Sequence, residues 1–86
     1  MVNKSILPSQ WRAQSKLTMA AAAELVGIRG KNPARTWQRW EAGEREPPVA
    51  VMLKIEGLSD RQVDLSSWVA VRQRYLSKRN MAEASV

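Results

Sequence analysis

The chain has 86 residues, 14 Lys and Arg against 8 Asp and Glu, a net charge of +6, and neither Cys nor His. That length fits one compact domain and not two. The absent residues exclude disulfides, thiol nucleophiles, zinc–thiolate sites, imidazole bases and His-ligated metals. A domain this small buries only ~60% of the surface its unfolded chain exposes, so it needs efficient packing or a partner subunit. The four Trp are the natural filling for such a core, at roughly 150–250 Å² each. No apolar run approaches the ~20 residues of a membrane span. The start, Met1 to Pro8, lacks the apolar core and cleavage site of a signal peptide. A soluble, cytoplasmic chain is expected, with no membrane association, metal, cofactor or small-molecule ligand.

No stretch alternates with the period of a strand, and the chain reads as all-α. The first helix is expected over 9–16, entered through Pro8. The second has Thr18 as its cap, runs through the alanines to Val26, and stops at Gly27. Asn32 caps the third. Pro33 takes its first position, where a missing N–H costs nothing, and the helix ends near Ala42, before Gly43. Pro47 and Pro48 open a fourth helix over 49–56, closed by Gly57. Residues 59–62 have the Ser-x-x-Gln form of a capping box and predict a short helical turn. Ser66 or Ser67 caps a fifth helix that runs to about Arg79. The expected organisation is a single compact bundle of about five helices over 1–79, with a frayed tail over 80–86.

The charge is segregated. Residues 27–45 and 65–86 each carry +3, whereas residues 46–64 carry −2. Arg29, Lys31, Arg35 and Arg39 follow one another without an intervening acid. Such clusters suit a polyanion, although two ordinary solvated helix faces would look similar.

The third helix separates the two readings. At 100° per residue, Trp37 and Trp40 share one face, with Pro33 between them. Arg35, Gln38 and Arg39 occupy the opposite face, with the small Ala34 beside them. One side is thus a double-Trp anchor and the other a set of long hydrogen-bonding side chains. Arg can pair bidentately with guanine in the major groove, and Gln with adenine. A solvated face usually mixes charge signs for i,i+4 pairing, and this one does not.

The segment Leu17-Thr18-Met19-Ala20-Ala21-Ala22-Ala23-Glu24-Leu25-Val26-Gly27-Ile28, followed by Trp40-Glu41-Ala42-Gly43-Glu44-Arg45-Glu46-Pro47, resembles the lambda-repressor-like (Cro/XRE-type) helix-turn-helix family. Ala23 and Gly27 fit that family's Ala-x-x-x-Gly turn. Trp40, Glu41, Gly43 and Pro47 fit its Trp-Glu-x-Gly-x-x-x-Pro ending to helix 3. Trp11-Arg12 looks like its helix 1 pair. The resemblance covers about residues 7–58. It implies a five-helix bundle with helix 3 in the DNA major groove. By position it makes Ala34, Arg35, Gln38 and Arg39 base-reading residues and places Arg45 at phosphate. It also implies structural roles for Arg12 and Glu41, as an ion pair, and for Trp37 and Trp40. The chain departs from the pattern in three places. The turn is lengthened by Arg29-Gly30-Lys31-Asn32, which shifts the start of helix 3 and offers Arg29, Lys31 and Asn32 to phosphate. Met19 stands where a phosphate-contacting Gln is common. Pro48 replaces the polar cap of helix 4, so that cap comes from elsewhere or is absent.

In the fifth helix, Trp68, Val69, Val71, Tyr75 and Leu76 form an apolar arc with Arg72 and Arg79 projecting into it. Three readings stand: a subunit interface built on Trp68, Val71, Arg72, Tyr75 and Leu76; a helix closing its own monomer with snorkelling arginines; or an accessory DNA clamp with Arg74 and Lys78. The first accords with a homodimer on a palindromic operator, its recognition helices roughly 34 Å apart.

The functional expectation is a sequence-specific regulator of transcription that binds double-stranded DNA. A phage- or bacterial-type repressor acting by operator occupancy is its simplest form. The alternatives are an antitoxin-like protein-binding module with autoregulatory DNA binding, and an RNA binder, which would need Trp37 or Trp40 exposed for stacking. The eight carboxylates form no recognisable paired set, and no enzyme is expected.

Overall fold

The computed structural model describes residues 5–84, which form five helices and no strand: α1 (Pro8–Gln14), α2 (Met19–Leu25), α3 (Pro33–Ala42), α4 (Val49–Leu58) and α5 (Leu65–Ala84). None of these helices is long and apolar enough to cross a membrane.

Local chemistry sets most of the boundaries. Pro8 opens α1, and Gln10 Oε1 accepts from the Leu7 N–H at 2.9 Å. The helix ends earlier than position 16, because Lys16 turns into the left-handed region at φ 55°. Thr18 caps α2 by accepting from the Ala21 N–H at 3.0 Å. Asn32 caps α3 in the same way, accepting from the Arg35 N–H at 3.2 Å, with Pro33 in the first position. Pro48 precedes α4 and no side chain caps that helix.

Several expected boundaries are corrected. Gly57 lies inside α4 and does not close it. The helix stops at Leu58, after which Asp60 and Arg61 take left-handed φ values of 53° and 66°. The Arg61 N–H there returns to the Glu56 carbonyl at 2.8 Å. Residues 59–62 form a turn with no helix of their own. The Ser59 hydroxyl accepts from the Val63 N–H at 3.0 Å, one residue beyond the position a capping box requires. The cap of α5 is Asp64, and neither Ser66 nor Ser67 fills that role. Asp64 Oδ1 accepts from the Ser67 N–H at 3.2 Å, and Ser67 Oγ accepts from the Asp64 N–H at 3.2 Å, so the two residues satisfy each other's end of the helix. The helix continues past Arg79 to Ala84, and 85–86 lie outside the described residues.

Trp37 is the centre of the core. Its ring lies 6.3 Å from that of Trp11, 6.2 Å from Trp40 and 6.4 Å from Trp68, all in tilted or edge-on geometry. Such arrangements match the positive ring edge to the negative ring face. Ala22, Ala23, Val26, Ile55 and Val63 complete the cluster. Ala22 and Ala23 are fully buried, and their small side chains let α2 pack closely on α3. At the other end, the Ile6 N–H donates to Gln62 O at 2.8 Å and Ser5 Oγ to Asp64 Oδ2 at 2.9 Å, which pins the segment before α1 to the start of α5.

Candidate nucleic-acid interface

The core fixes the rotation of α3. Trp37 and Trp40 are buried, so the opposite face must turn outward, and Arg35, Gln38 and Arg39 are all exposed. Ala34 is half-buried beside them. A shallow groove runs along this face, lined by Met19, Asn32, Ala34, Arg35, Gln38, Arg39 and Glu44. It therefore brings together the four expected base-reading residues and Asn32. A second, smaller concavity adjoins it between Arg39, Glu44 and Arg45. Arg29 and Lys31 are exposed on the connection between α2 and α3 but line neither concavity. The Asn32 side-chain oxygen is committed to the α3 cap, which leaves its amide nitrogen as the group able to donate outward.

Behind the face, a polar cluster locks the exit of α3 to α1. Arg12 binds Glu41 through two bonds, Nε to Oε2 at 2.7 Å and Nη2 to Oε1 at 3.0 Å. Its Nη1 donates to the Leu17 carbonyl at 3.0 Å. The Trp37 indole N–H donates to Glu41 Oε2 as well. The ion pair expected of Arg12 and Glu41 is therefore present, and it is joined to the ring at the centre of the core. Hydrogen bonding to Glu41 pushes the Arg12 guanidinium above its ordinary pKa, partial burial works against this, and the Glu41 charge adds to it. A carboxylate near a helix C-terminus is unfavourable for the helix dipole, and the guanidinium offsets it.

The loop after α3 is anchored from α5. Gly43 adopts φ +86°, and a Cβ there would lie 2.6 Å from the Val71 carbonyl oxygen and 2.9 Å from Tyr75 Cβ. Only glycine combines that conformation with that approach. Arg72 Nη1 donates to the carbonyls of Gly43 at 2.7 Å and Glu44 at 3.0 Å, with its guanidinium 5.6 Å from the Tyr75 ring centroid. The Glu44 N–H returns to Arg39 O at 3.0 Å, which fixes the residue that follows Gly43 against the last turn of α3.

These contacts correct the expected subunit interface. Trp68 and Val71 are only 3% and 7% exposed and belong to the protomer's own core. Arg72 is engaged by the α3 exit loop, and Tyr75 is half-buried against it. Of the five residues assigned to that interface, Leu76 alone is exposed. The arginine inside an apolar arc was a signal of an internal carbonyl partner. Glu44 was missed as a groove residue. Its place directly after a left-handed glycine, where the chain folds back over the helix, was the available sign.

Comparison with known proteins finds no family model, no curated protein and no solved structure that matches this chain.

Proposed function

We propose that the protein is a cytoplasmic, sequence-specific transcriptional regulator that binds double-stranded DNA with α3 in the major groove. The simplest form of this proposal is a phage- or bacterial-type repressor that acts by operator occupancy. The observation that carries this reading is the two-sided α3. Trp37 and Trp40 fasten one side in the core, while Arg35, Gln38 and Arg39 stand exposed on the other, beside Ala34. A helix held this rigidly can present side chains to base edges at fixed positions. Arg35 or Arg39 would pair with guanine and Gln38 with adenine, and Ala34 has the size to pass a thymine methyl. Arg29, Lys31, Arg45 and the Asn32 amide supply phosphate contacts, which set register and most of the affinity. The RNA alternative loses its stacking platform, because Trp37 and Trp40 are buried.

A homodimer belongs to the same proposal. Among the residues of α5 whose side chains are described, the exposed large apolar ones are Leu65, Val69 and Leu76, at 63%, 45% and 38% exposure. At 100° per residue they fall on one narrow stripe of the helix, available to a second copy. Two copies would match a palindromic site.

The test is the salt dependence of duplex binding. Four to six neutralised phosphates predict that log K falls with log salt at a slope of about −4 to −5. A slope near zero would contradict the proposal.

A further inference from the structure

We propose that Glu44 is a specificity determinant, an anion built into the DNA-facing groove that makes binding depend on a base-edge amino group. This rests on the reading of α3 as the base-reading element.

Glu44 is an acid lying among the cations of the proposed interface. It lines the groove of Arg35, Gln38 and Arg39, and also the concavity of Arg39 and Arg45. It does not sit on a loose tip, because its N–H is bonded to Arg39 O at 3.0 Å and its carbonyl to Arg72 Nη1 at 3.0 Å. Its backbone is thus held at both ends while its side chain is exposed. An ionised carboxylate is an acceptor only. Facing a polyanion it opposes binding, unless a donor lies opposite. The major groove offers such a donor in the exocyclic amino group of cytosine, the partner that Glu and Asp read there. The groove would then combine attraction for phosphate with a penalty that only the right base relieves, which is how repulsion produces specificity.

The experiment measures wild type, Glu44→Ala and Glu44→Gln on two duplexes by fluorescence anisotropy at fixed salt. One duplex is random in sequence and the other carries the site selected by wild type from a random pool, measured both as selected and with each of its cytosines replaced in turn. Unfolding midpoints are compared to confirm that the exposed position leaves the fold unchanged. Both variants are expected to bind random duplex severalfold tighter than wild type. They are expected to lose about fivefold or more of the discrimination for a cytosine at one position of each half-site. Equal tightening on both duplexes, with no base preference lost, would make Glu44 a plain repulsive charge and overturn the proposal. Wild type failing to bind any duplex would overturn the DNA-binding reading itself, and this inference with it.

Discussion

Arg72 Nη1 donates to the carbonyl of Gly43 at 2.7 Å, and through this bond the C-terminal helix holds the exit of α3. The same nitrogen reaches Glu44 O, so the segment carrying Arg45 is fixed from α5. Arg72→Ala is expected to lower stability by about 1–2 kcal/mol, the scale of charged hydrogen bonds discounted for partial exposure. It should also weaken duplex binding, with a shallower salt slope as Arg45 loses its position. Arg72→Lys should recover part of both, since a single ammonium can still reach a carbonyl. Unchanged binding in Arg72→Ala would mean the loop is held without it.

Two glycines with similar backbone angles should respond differently to alanine. Gly27, at φ +74°, has nothing within 4 Å of a built Cβ, whereas at Gly43 the Val71 carbonyl lies 2.6 Å away. Gly27→Ala should cost about 1–2 kcal/mol, the left-handed penalty alone. Gly43→Ala adds a backbone collision and should cost more than about 3 kcal/mol, displacing α5 from α3. Urea unfolding measures both, and equal losses would contradict the close packing described.

The two central indoles differ in their polar edge. The Trp37 N–H is bonded to Glu41, whereas the Trp68 N–H is buried without a partner. Phe at either position removes similar ring volume, but only Trp37→Phe also breaks a hydrogen bond to a carboxylate. Its cost should exceed that of Trp68→Phe by about 1–2 kcal/mol. A double-mutant cycle of Arg12 and Glu41 should likewise give a coupling above about 1 kcal/mol, larger than an exposed ion pair provides.

Acid should weaken the start of α5. Hydrogen bonding from the Ser66 hydroxyl, aided by Ser5 and Ser67 against a desolvation cost, holds the Asp64 carboxyl below its usual range. A depressed folded-state pKa contributes stability that is present above the unfolded value of about 3.9 and is lost as pH falls through the folded value. Asp64→Ala should therefore cost about 1 kcal/mol near neutral pH, as a lost cap, and progressively less below pH ~4. Urea midpoints across this range test it, and a constant difference down to low pH would exclude the linkage.

The third helix was legible from sequence because its signals are local. Asn32, Pro33 and Gly43 set its ends within one turn, and the Trp37–Trp40 spacing sets which side is buried. The misreadings came from positions decided by distant partners. Gly57 looks like a stop, yet α4 runs through it, because the reversal is made by Asp60 and Arg61. Ser66 and Ser67 both look like caps, yet Asp64 takes that role while also receiving Ser5 from far along the chain. Arg72 suggested a partner subunit because its carbonyl acceptors lie 28 and 29 residues away in sequence. Helical periodicity cannot reveal such a pairing.

The residues proposed to read bases and those proposed to contact phosphate should separate in binding experiments. Arg35→Ala or Arg39→Ala should cost about 1–3 kcal/mol on the selected site and relax preference at one base position. Lys31→Ala or Arg45→Ala should weaken binding uniformly across sequences and make the salt slope shallower by about 1. A uniform loss from Arg35→Ala would reassign it to phosphate.

Whether the exposed face of α3 reads DNA sequence is measured by selecting bound duplexes from a random pool. The expected result is enrichment of a palindromic motif whose base preferences are altered by Arg35→Ala or Arg39→Ala, in support of a base-reading α3. A bound pool indistinguishable from the input would contradict it.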